Sequence, residues 1–239
     1  MSTDRLVVAL DVESGARALE LAGALKGAAG GVKIGSRLFT LEGPGLVREL
    51  VSRGSRVFLD LKFHDIPNTV AQAVEAGVQT GAWMIDVHAS GGTAMMQAAA
   101  KAAKDAAAKA GTQPPLLIAI TVLTSMDDGA LRETGVERAL LPQVSALARL
   151  AQGAGLDGVV CSPHEIAAIR SACGSEFTVV TPGIRGAAAG TEKNDQMRTM
   201  GPGEAVRAGA SYIVVGRPII AAPNPKEAAE KIVAELTSR

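Results

Sequence analysis

Two carboxylates and an ammonium occur within six residues, as Asp60, Lys62 and Asp65. The run 56–62 alternates in the manner of a β-strand, so Asp60 and Lys62 are expected on one face of it. At about 4 Å and an effective dielectric of about 20, such a pair interacts by roughly 4 kcal/mol, which can set protonation states and the energy of a bound anion. The segment therefore predicts an active site, and a salt bridge at a strand end is the alternative.

The elements around this segment alternate between strand-like and helix-like runs. Eight strands are predicted, over 6–12, 31–34, 57–62, 83–89, 116–124, 158–162, 177–181 and 212–216. Helices are predicted over 14–26, 45–52, 67–80, 93–109, 137–152, 163–171 and 225–236. Alternating units imply a parallel sheet, and eight of them fit a closed barrel better than a doubly wound sheet. The predicted fold is a single (β/α)8 TIM barrel of the α/β class, with residues 1–239 as one domain.

In such a barrel the catalytic groups lie at the carboxyl ends of the strands. The polar residues at or just beyond the predicted strand ends are Asp11, Lys33, Asp60, Lys62, Thr124 and Arg217. Because an interior charge costs several kcal/mol unless it is paired, Lys33, Asp60, Lys62 and Asp65 are expected to form an alternating array. A charge network that only closes the barrel mouth is the alternative. The long polar insertion 185–203 after the seventh strand is interpreted as a ligand-closing loop.

The composition favours a small ligand. Lys plus Arg equal Asp plus Glu at 24 each, and the chain has one Trp, one Tyr and four Phe, which argues against a nucleic-acid binder or a membrane-surface protein. No apolar stretch approaches about 18 residues, so a cytoplasmic protein is expected. Cys161 and Cys173 lack the spacing of a zinc site, so no metal is expected. His64 and His88 are interpreted as hydrogen-bonded structural residues.

Seven segments occur in the order found in the orotidine 5′-phosphate decarboxylase family: 7–11, 32–35, 60–69, 122–125, 181–185, 194–196 and 215–218. The chain resembles this family over its whole length. The resemblance implies a cofactor-free homodimer with shared active sites that decarboxylates orotidine 5′-monophosphate to UMP in pyrimidine biosynthesis. Two alternatives stay open. One is a magnesium-dependent sugar-phosphate decarboxylase or epimerase of the same superfamily, and the other is a noncatalytic phosphate-binding barrel.

The resemblance also implies roles for the charged residues. Lys62 would protonate C6 of the pyrimidine ring as carbon dioxide leaves, and its charge would stabilise the carbanion. Asp60 would lie close to the departing carboxylate. Lys33 and Asp65 would hold the array in register, with Asp65 supplied by the neighbouring subunit.

Further residues are implied as ligand contacts. Asp11 and Lys33 resemble the groups that bind the ribose hydroxyls, with Thr69 contributing from a partner subunit. Thr124 would contact the pyrimidine edge.

The remaining implied contacts surround the phosphate. Gln196 would bridge base and phosphate, while Arg217 and the backbone of Gly216 would bind the phosphate dianion. Pro182 would pack near the ring. Arg185 would be either a second phosphate ligand or a solvated loop charge.

Overall fold

All eight predicted strands form, and they close into a parallel barrel. The computed structural model describes residues 2–184 and 199–237. The strands are β1 (Leu6–Ala9), β2 (Gly31–Gly35), β3 (Val57–Phe63), β4 (Met84–His88), β5 (Leu116–Ile120), β6 (Gly158–Val160), β7 (Thr178–Thr181) and β8 (Tyr212–Val215). Each strand pairs in parallel with the next, and β1 pairs with β8. The predicted (β/α)8 fold class is therefore confirmed.

Helices surround the barrel. They are α1 (Gly15–Ala24), α2 (Ser36–Ser52), α3 (Pro67–Val78), α4 (Gly92–Ala110), α5 (Asp128–Glu133), α6 (Leu140–Gly153), α7 (Ile166–Cys173), α8 (Pro202–Ala208), α9 (Arg217–Ile220) and α10 (Pro225–Glu235). A helix forms at each predicted position, whereas α5, α8 and α9 were not predicted. The helix α2 begins earlier than predicted because it continues across a kink at Gly43, where φ is 67°, and Pro44. No helix within the described ranges is long and apolar enough to cross a membrane.

The barrel interior is apolar towards its amino end and polar towards its carboxyl end. The buried apolar side chains of the interior are Val7, Ala9, Phe58, Met84, Ile118, Val180 and Val214. In β3 and β4 these are followed, two residues later, by acidic residues: Phe58 by Asp60 and Met84 by Asp86. Because alternate residues of a strand share a face, β3 and β4 supply apolar side chains to the amino end of the interior and carboxyl groups to its carboxyl end.

Gly158 in β6 has no room for a side chain. A Cβ there would lie 2.1 Å from the carbonyl oxygen of Thr178 on β7. Overpacking costs about 1–3 kcal/mol, so we expect Gly158→Ala to lower the free energy of unfolding by this amount in a urea titration. Gly153→Ala is the matched control, since a Cβ at the end of α6 meets nothing within 4 Å. Equal stability of the two variants would contradict the prediction.

Candidate active site

Four charged side chains form consecutive ion pairs at the carboxyl ends of β1 to β3. The Nζ of Lys33 lies 2.9 Å from Oδ2 of Asp60 and 3.5 Å from Oδ1 of Asp11. The Nζ of Lys62 contacts the other carboxylate oxygen of Asp60. Negative and positive charges therefore alternate in the order Asp11, Lys33, Asp60, Lys62, and we call this set the charged row.

The two central members of the charged row, Lys33 and Asp60, each have only 11% of the side chain exposed, and their partners favour the charged forms. Burial alone would raise the pKa of Asp60, but the Lys33 ammonium, a hydrogen bond with Asp86 and the Lys62 ammonium bring that pKa well below its usual range. Burial alone would lower the pKa of Lys33, but the charges of Asp60 and Asp11 raise it above its ordinary value. Each partner therefore stabilises the charged form of the other at neutral pH.

Lys62 lies where the pairing of β3 with β4 is interrupted. The pairing of β3 with β4 is regular at Phe58 and Leu59 and resumes at Phe63 after a register shift. Within this bulge Lys62 has a φ of 54°, the only positive φ of a non-glycine residue in the described chain. Strand alternation thus predicted the contact between Asp60 and Lys62, but it did not predict the bulge in which Lys62 lies.

Asp86 is a site residue that the sequence analysis missed. It lies in β4 and is completely buried, and its Oδ1 accepts a hydrogen bond from the backbone N–H of Lys62 at 2.8 Å. Burial raises its pKa well above the usual range, and the adjacent Asp60 raises that pKa further. The available signal was an acidic residue in the middle of a predicted strand, 83–89, that is otherwise mostly apolar.

Asp65 stands outside the charged row of its own chain. Its side chain is exposed, and its Oδ1 accepts a hydrogen bond from the backbone N–H of Ile66 at 2.6 Å. It lies beyond the strand end, at the turn into α3, and forms no ion pair with any described residue of its own chain. Its membership of the array, from the neighbouring subunit, stays a prediction. Thr69 in the first turns of α3 is also exposed.

Thr124 and Pro182 lie in loops at the carboxyl end of the barrel. The strand β5 ends at Ile120, where its pairing with β6 ends at Val160, so Thr124 lies four residues beyond the strand and not in it as predicted. Pro182 directly follows β7 and is half-buried. Gly183 has a φ of 80°, as expected for a tight turn after the strand.

Gly216 and Arg217 connect β8 to α9 beside the charged row. A Cβ at Gly216 would lie 3.7 Å from Oδ2 of Asp11, so the backbone here lies against the first member of the row. Arg217 is the first residue of α9 and is exposed. The predicted ligand contacts Arg185 and Gln196 lie outside the described residues.

His64 and His88 stack next to the site. Their ring centroids are 5.2 Å apart, with an angle of 27° between the planes. Burial lowers the pKa of His88, and the charges of His64 and Lys62 lower that pKa further. The two rings therefore pack against each other, and the hydrogen-bonded structural role expected for His64 and His88 stays a prediction.

The charged row can donate a proton and stabilise an anion. The side chain of Lys62 is 36% exposed, compared with 11% for Lys33, so Lys62 is the more accessible ammonium. A cation fixed in place before reaction stabilises negative charge as it develops, and an ammonium is also a proton donor. Within the described parts of the chain, no group of three or more His, Cys, Asp or Glu side chains is arranged to hold a metal ion.

A charged row at the carboxyl ends of the strands is the site arrangement of a (β/α)8-barrel enzyme. The model of one family of such proteins, "Orotidine 5'-phosphate decarboxylase / HUMPS family", matches residues 4–232. The chain belongs to this family.

Two curated relatives are similar over nearly the whole chain. Orotidine 5′-phosphate decarboxylase of Moorella thermoacetica is 55% identical over 234 residues, which cover 98% of this chain and 92% of that protein. The enzyme of the same name from Syntrophotalea carbinolica is 52% identical, covering 98% and 95%. The crystal structure of orotidine 5′-phosphate decarboxylase from Lactobacillus acidophilus is 37% identical, with a TM-score of 0.86, and the match covers 98% of this chain and 99% of that one.

Proposed function

We propose that this chain decarboxylates orotidine 5′-monophosphate to UMP in de novo pyrimidine biosynthesis. The observation that carries the proposal is the charged row, which ends in the accessible Lys62 at the barrel mouth of a chain belonging to this family. The activity named for the two curated relatives supports the choice of substrate.

Lys62 is the proton donor in this proposal. The bond between C6 and the carboxylate breaks, its electron pair stays on C6, and carbon dioxide leaves. The Lys62 ammonium stabilises the C6 carbanion and then donates a proton from Nζ, so that a new C–H bond forms. The neutral amine regains its proton from water before the next turnover.

The other members of the charged row prepare this step. Asp60 lies next to the substrate carboxylate, and the repulsion between the two anions favours loss of carbon dioxide. Lys33 fixes Asp60 through the 2.9 Å contact and, together with Asp11, binds the ribose hydroxyls. Asp11 is the more exposed end of the row, with 61% of its side chain accessible, which suits a contact with substrate.

The loops at the barrel mouth bind the rest of the nucleotide. Thr124 contacts the pyrimidine edge, and Pro182 packs near the ring. Arg217 and the backbone of Gly216 bind the phosphate, for which the planar guanidinium is well suited. The insertion 185–203 closes over the ligand, with Gln196 bridging base and phosphate and Arg185 as a further candidate for the phosphate.

The proposed functional unit is a homodimer with shared sites. In it, Asp65 and Thr69 of each chain complete the site of the partner. Their exposure, together with that of Ile66 at 67% and Leu123 at 40%, supports a partner at this end of the barrel. We further propose that residues 1–239 act as one barrel domain and that this biosynthetic enzyme works in the cytoplasm.

The direct test is turnover of orotidine 5′-monophosphate by the purified protein. Ultraviolet absorbance should fall as substrate is consumed, and chromatography should identify UMP as the only nucleotide product. Sugar phosphates offered to the same preparation should be left unchanged. Turnover of a sugar phosphate without turnover of orotidylate would replace this proposal with the sugar-phosphate alternative.

Chelation is expected to leave the rate unchanged. Both carboxylate oxygens of Asp60 contact lysine ammonium groups, which already supply the positive charge that a metal would bring. The rate should therefore be the same after dialysis against chelator as before. Loss of turnover that added magnesium restores would contradict a metal-free mechanism.

A further inference from the structure

The bulge in β3 removes the backbone of Lys62 from the strand ladder. The pairing of β2 with β3 ends at Asp60, and the pairing of β3 with β4 resumes only at Phe63. A buried backbone N–H without a partner costs free energy comparable to a lost hydrogen bond. The Asp86 side chain supplies that partner, since its Oδ1 accepts from the Lys62 N–H at 2.8 Å.

The second oxygen of Asp86 indicates which form of the carboxyl group is present. Oδ2 is buried and has no donor among the described residues. The neighbouring carboxyl group is that of Asp60, whose charge raises the pKa of Asp86. Two carboxylates cannot hydrogen-bond each other, because both only accept. One proton on Asp86 resolves this, since a neutral carboxylic acid donates from one oxygen and accepts at the other.

We propose that Asp86 is a positioning residue for the reaction: as a neutral acid it donates a hydrogen bond to Asp60 and accepts one from the backbone of Lys62. It thereby fixes both partners of one ion pair: the backbone of Lys62, the proposed proton donor, and the carboxylate of Asp60. The inference rests on the proposed decarboxylation only for the kinetic consequences, because the hydrogen bonds and the protonation state belong to the folded protein itself.

The surroundings of Asp86 favour the neutral form. It is completely buried, and burial followed by the charge of Asp60 raises its pKa well above the usual range. Lys62 on β3 acts in the opposite direction, and Lys33 on β2 also interacts with it electrostatically. The other neighbouring strand, β5, has only apolar residues. These surroundings favour the neutral form of Asp86 and the ionised form of Asp60.

Replacement of Asp86 by asparagine or by alanine separates the effect of its hydrogen bonds from that of its acid group. The amide of Asp86→Asn can accept from the Lys62 N–H and donate to Asp60, so kcat should stay within about threefold of wild type. Asp86→Ala loses both bonds, and because displacement of a catalytic group by about 1 Å can cost about 100-fold, its kcat should fall by that order. Its KM for orotidylate should change less than kcat.

Asp157→Ala is the matched control. Asp157 also accepts a strand backbone N–H, that of Leu117 at 2.8 Å, but precedes β6 at the other end of the barrel. This variant should keep the kcat of the wild type even if it is less stable. An Asp86→Asn variant as inactive as Asp86→Ala would overturn the neutral-acid role, and wild-type kcat in Asp86→Ala would overturn positioning.

Thermal melting tests the protonation state without using the reaction. If folded Asp86 is neutral, folding takes up a proton above the unfolded pKa of about 4. The free energy of unfolding of the wild type then falls as the pH rises, because the unfolded state gives up this proton more readily than the folded state. In Asp86→Asn no such proton is taken up, so this fall is absent. The Tm of Asp86→Asn minus that of the wild type should increase between about pH 5 and pH 8. A flat difference would overturn the proposal, whether or not the wild type turns over orotidylate and even if Asp86→Ala does not fold.

Discussion

Lys62→Ala is expected to lower kcat by about 1,000-fold or more while the protein still binds UMP. Proton transfer from a positioned group contributes about 10²–10⁴-fold, and fixed electrostatic stabilisation of a developing charge contributes about 10²–10³-fold. Both act mainly in the transition state, so affinity for the product should change far less than kcat. Single-turnover kinetics and calorimetry with UMP measure the two quantities.

Lys101→Ala is a matched control for Lys62→Ala. Lys101 also contacts a carboxylate, Asp105, but on the exposed surface of α4. This variant should keep both kcat and UMP affinity. Near-normal kcat in Lys62→Ala would reject Lys62 as the proton donor.

Arg217→Ala should show the opposite kinetic pattern. A phosphate contact exists in both the ground state and the transition state, so its loss raises KM. A hydrogen bond between charged groups is worth about 1.5–3 kcal/mol, which corresponds to a rise of roughly 10- to 100-fold. Some loss of kcat is compatible with this role if phosphate binding helps to close the loop 185–203. An unchanged KM would remove Arg217 from the phosphate site.

Mixed dimers of two inactive variants should recover activity. Asp65 is exposed and forms no ion pair with the described residues of its own chain, which suits a role in the partner's site. In a dimer of Lys62→Ala with Asp65→Ala, one shared site carries both changes and the other carries neither. Refolding an equal mixture makes about half of the dimers mixed, so about a quarter of wild-type activity should return.

The matched controls are each variant refolded alone, which should stay nearly inactive. Subunit exchange must be demonstrated independently, for example with a tag on one variant. If Asp65 acted within its own chain, every site in the mixed dimer would carry one change. Exchange without recovered activity would therefore reject shared sites.

The strands could be predicted from the sequence because their residues are apolar and bounded by polar loops. The three helices that were missed, α5, α8 and α9, have six, seven and four residues, too few for a 3.6-residue period to be recognised. The end of β5 was placed four residues too late because the strand-like run continues through Thr121, Val122 and Leu123, although the pairing with β6 ends at Ile120.

The charged row was predicted in part because Asp60, Lys62 and Lys33 lie at strand ends, where parallel barrels gather polar groups. The contribution of Asp86 could not be derived in the same way. It depends on the register shift between β3 and β4, and the pattern of apolar and polar residues does not indicate where a bulge interrupts the pairing of two strands.

The backbone of Lys62 has a conformation that opposes folding, at the residue that we propose as the proton donor. A φ of 54° is unfavourable for an L-residue with a side chain by about 1–2 kcal/mol, whereas glycine adopts it readily. Folding preference alone would therefore select glycine here, and the chain carries lysine. Under the proposed role of Lys62, the protein gives up stability for reactivity at this residue, and substitutions that relieve the unfavourable φ are expected to be tolerated by the fold but not by the activity.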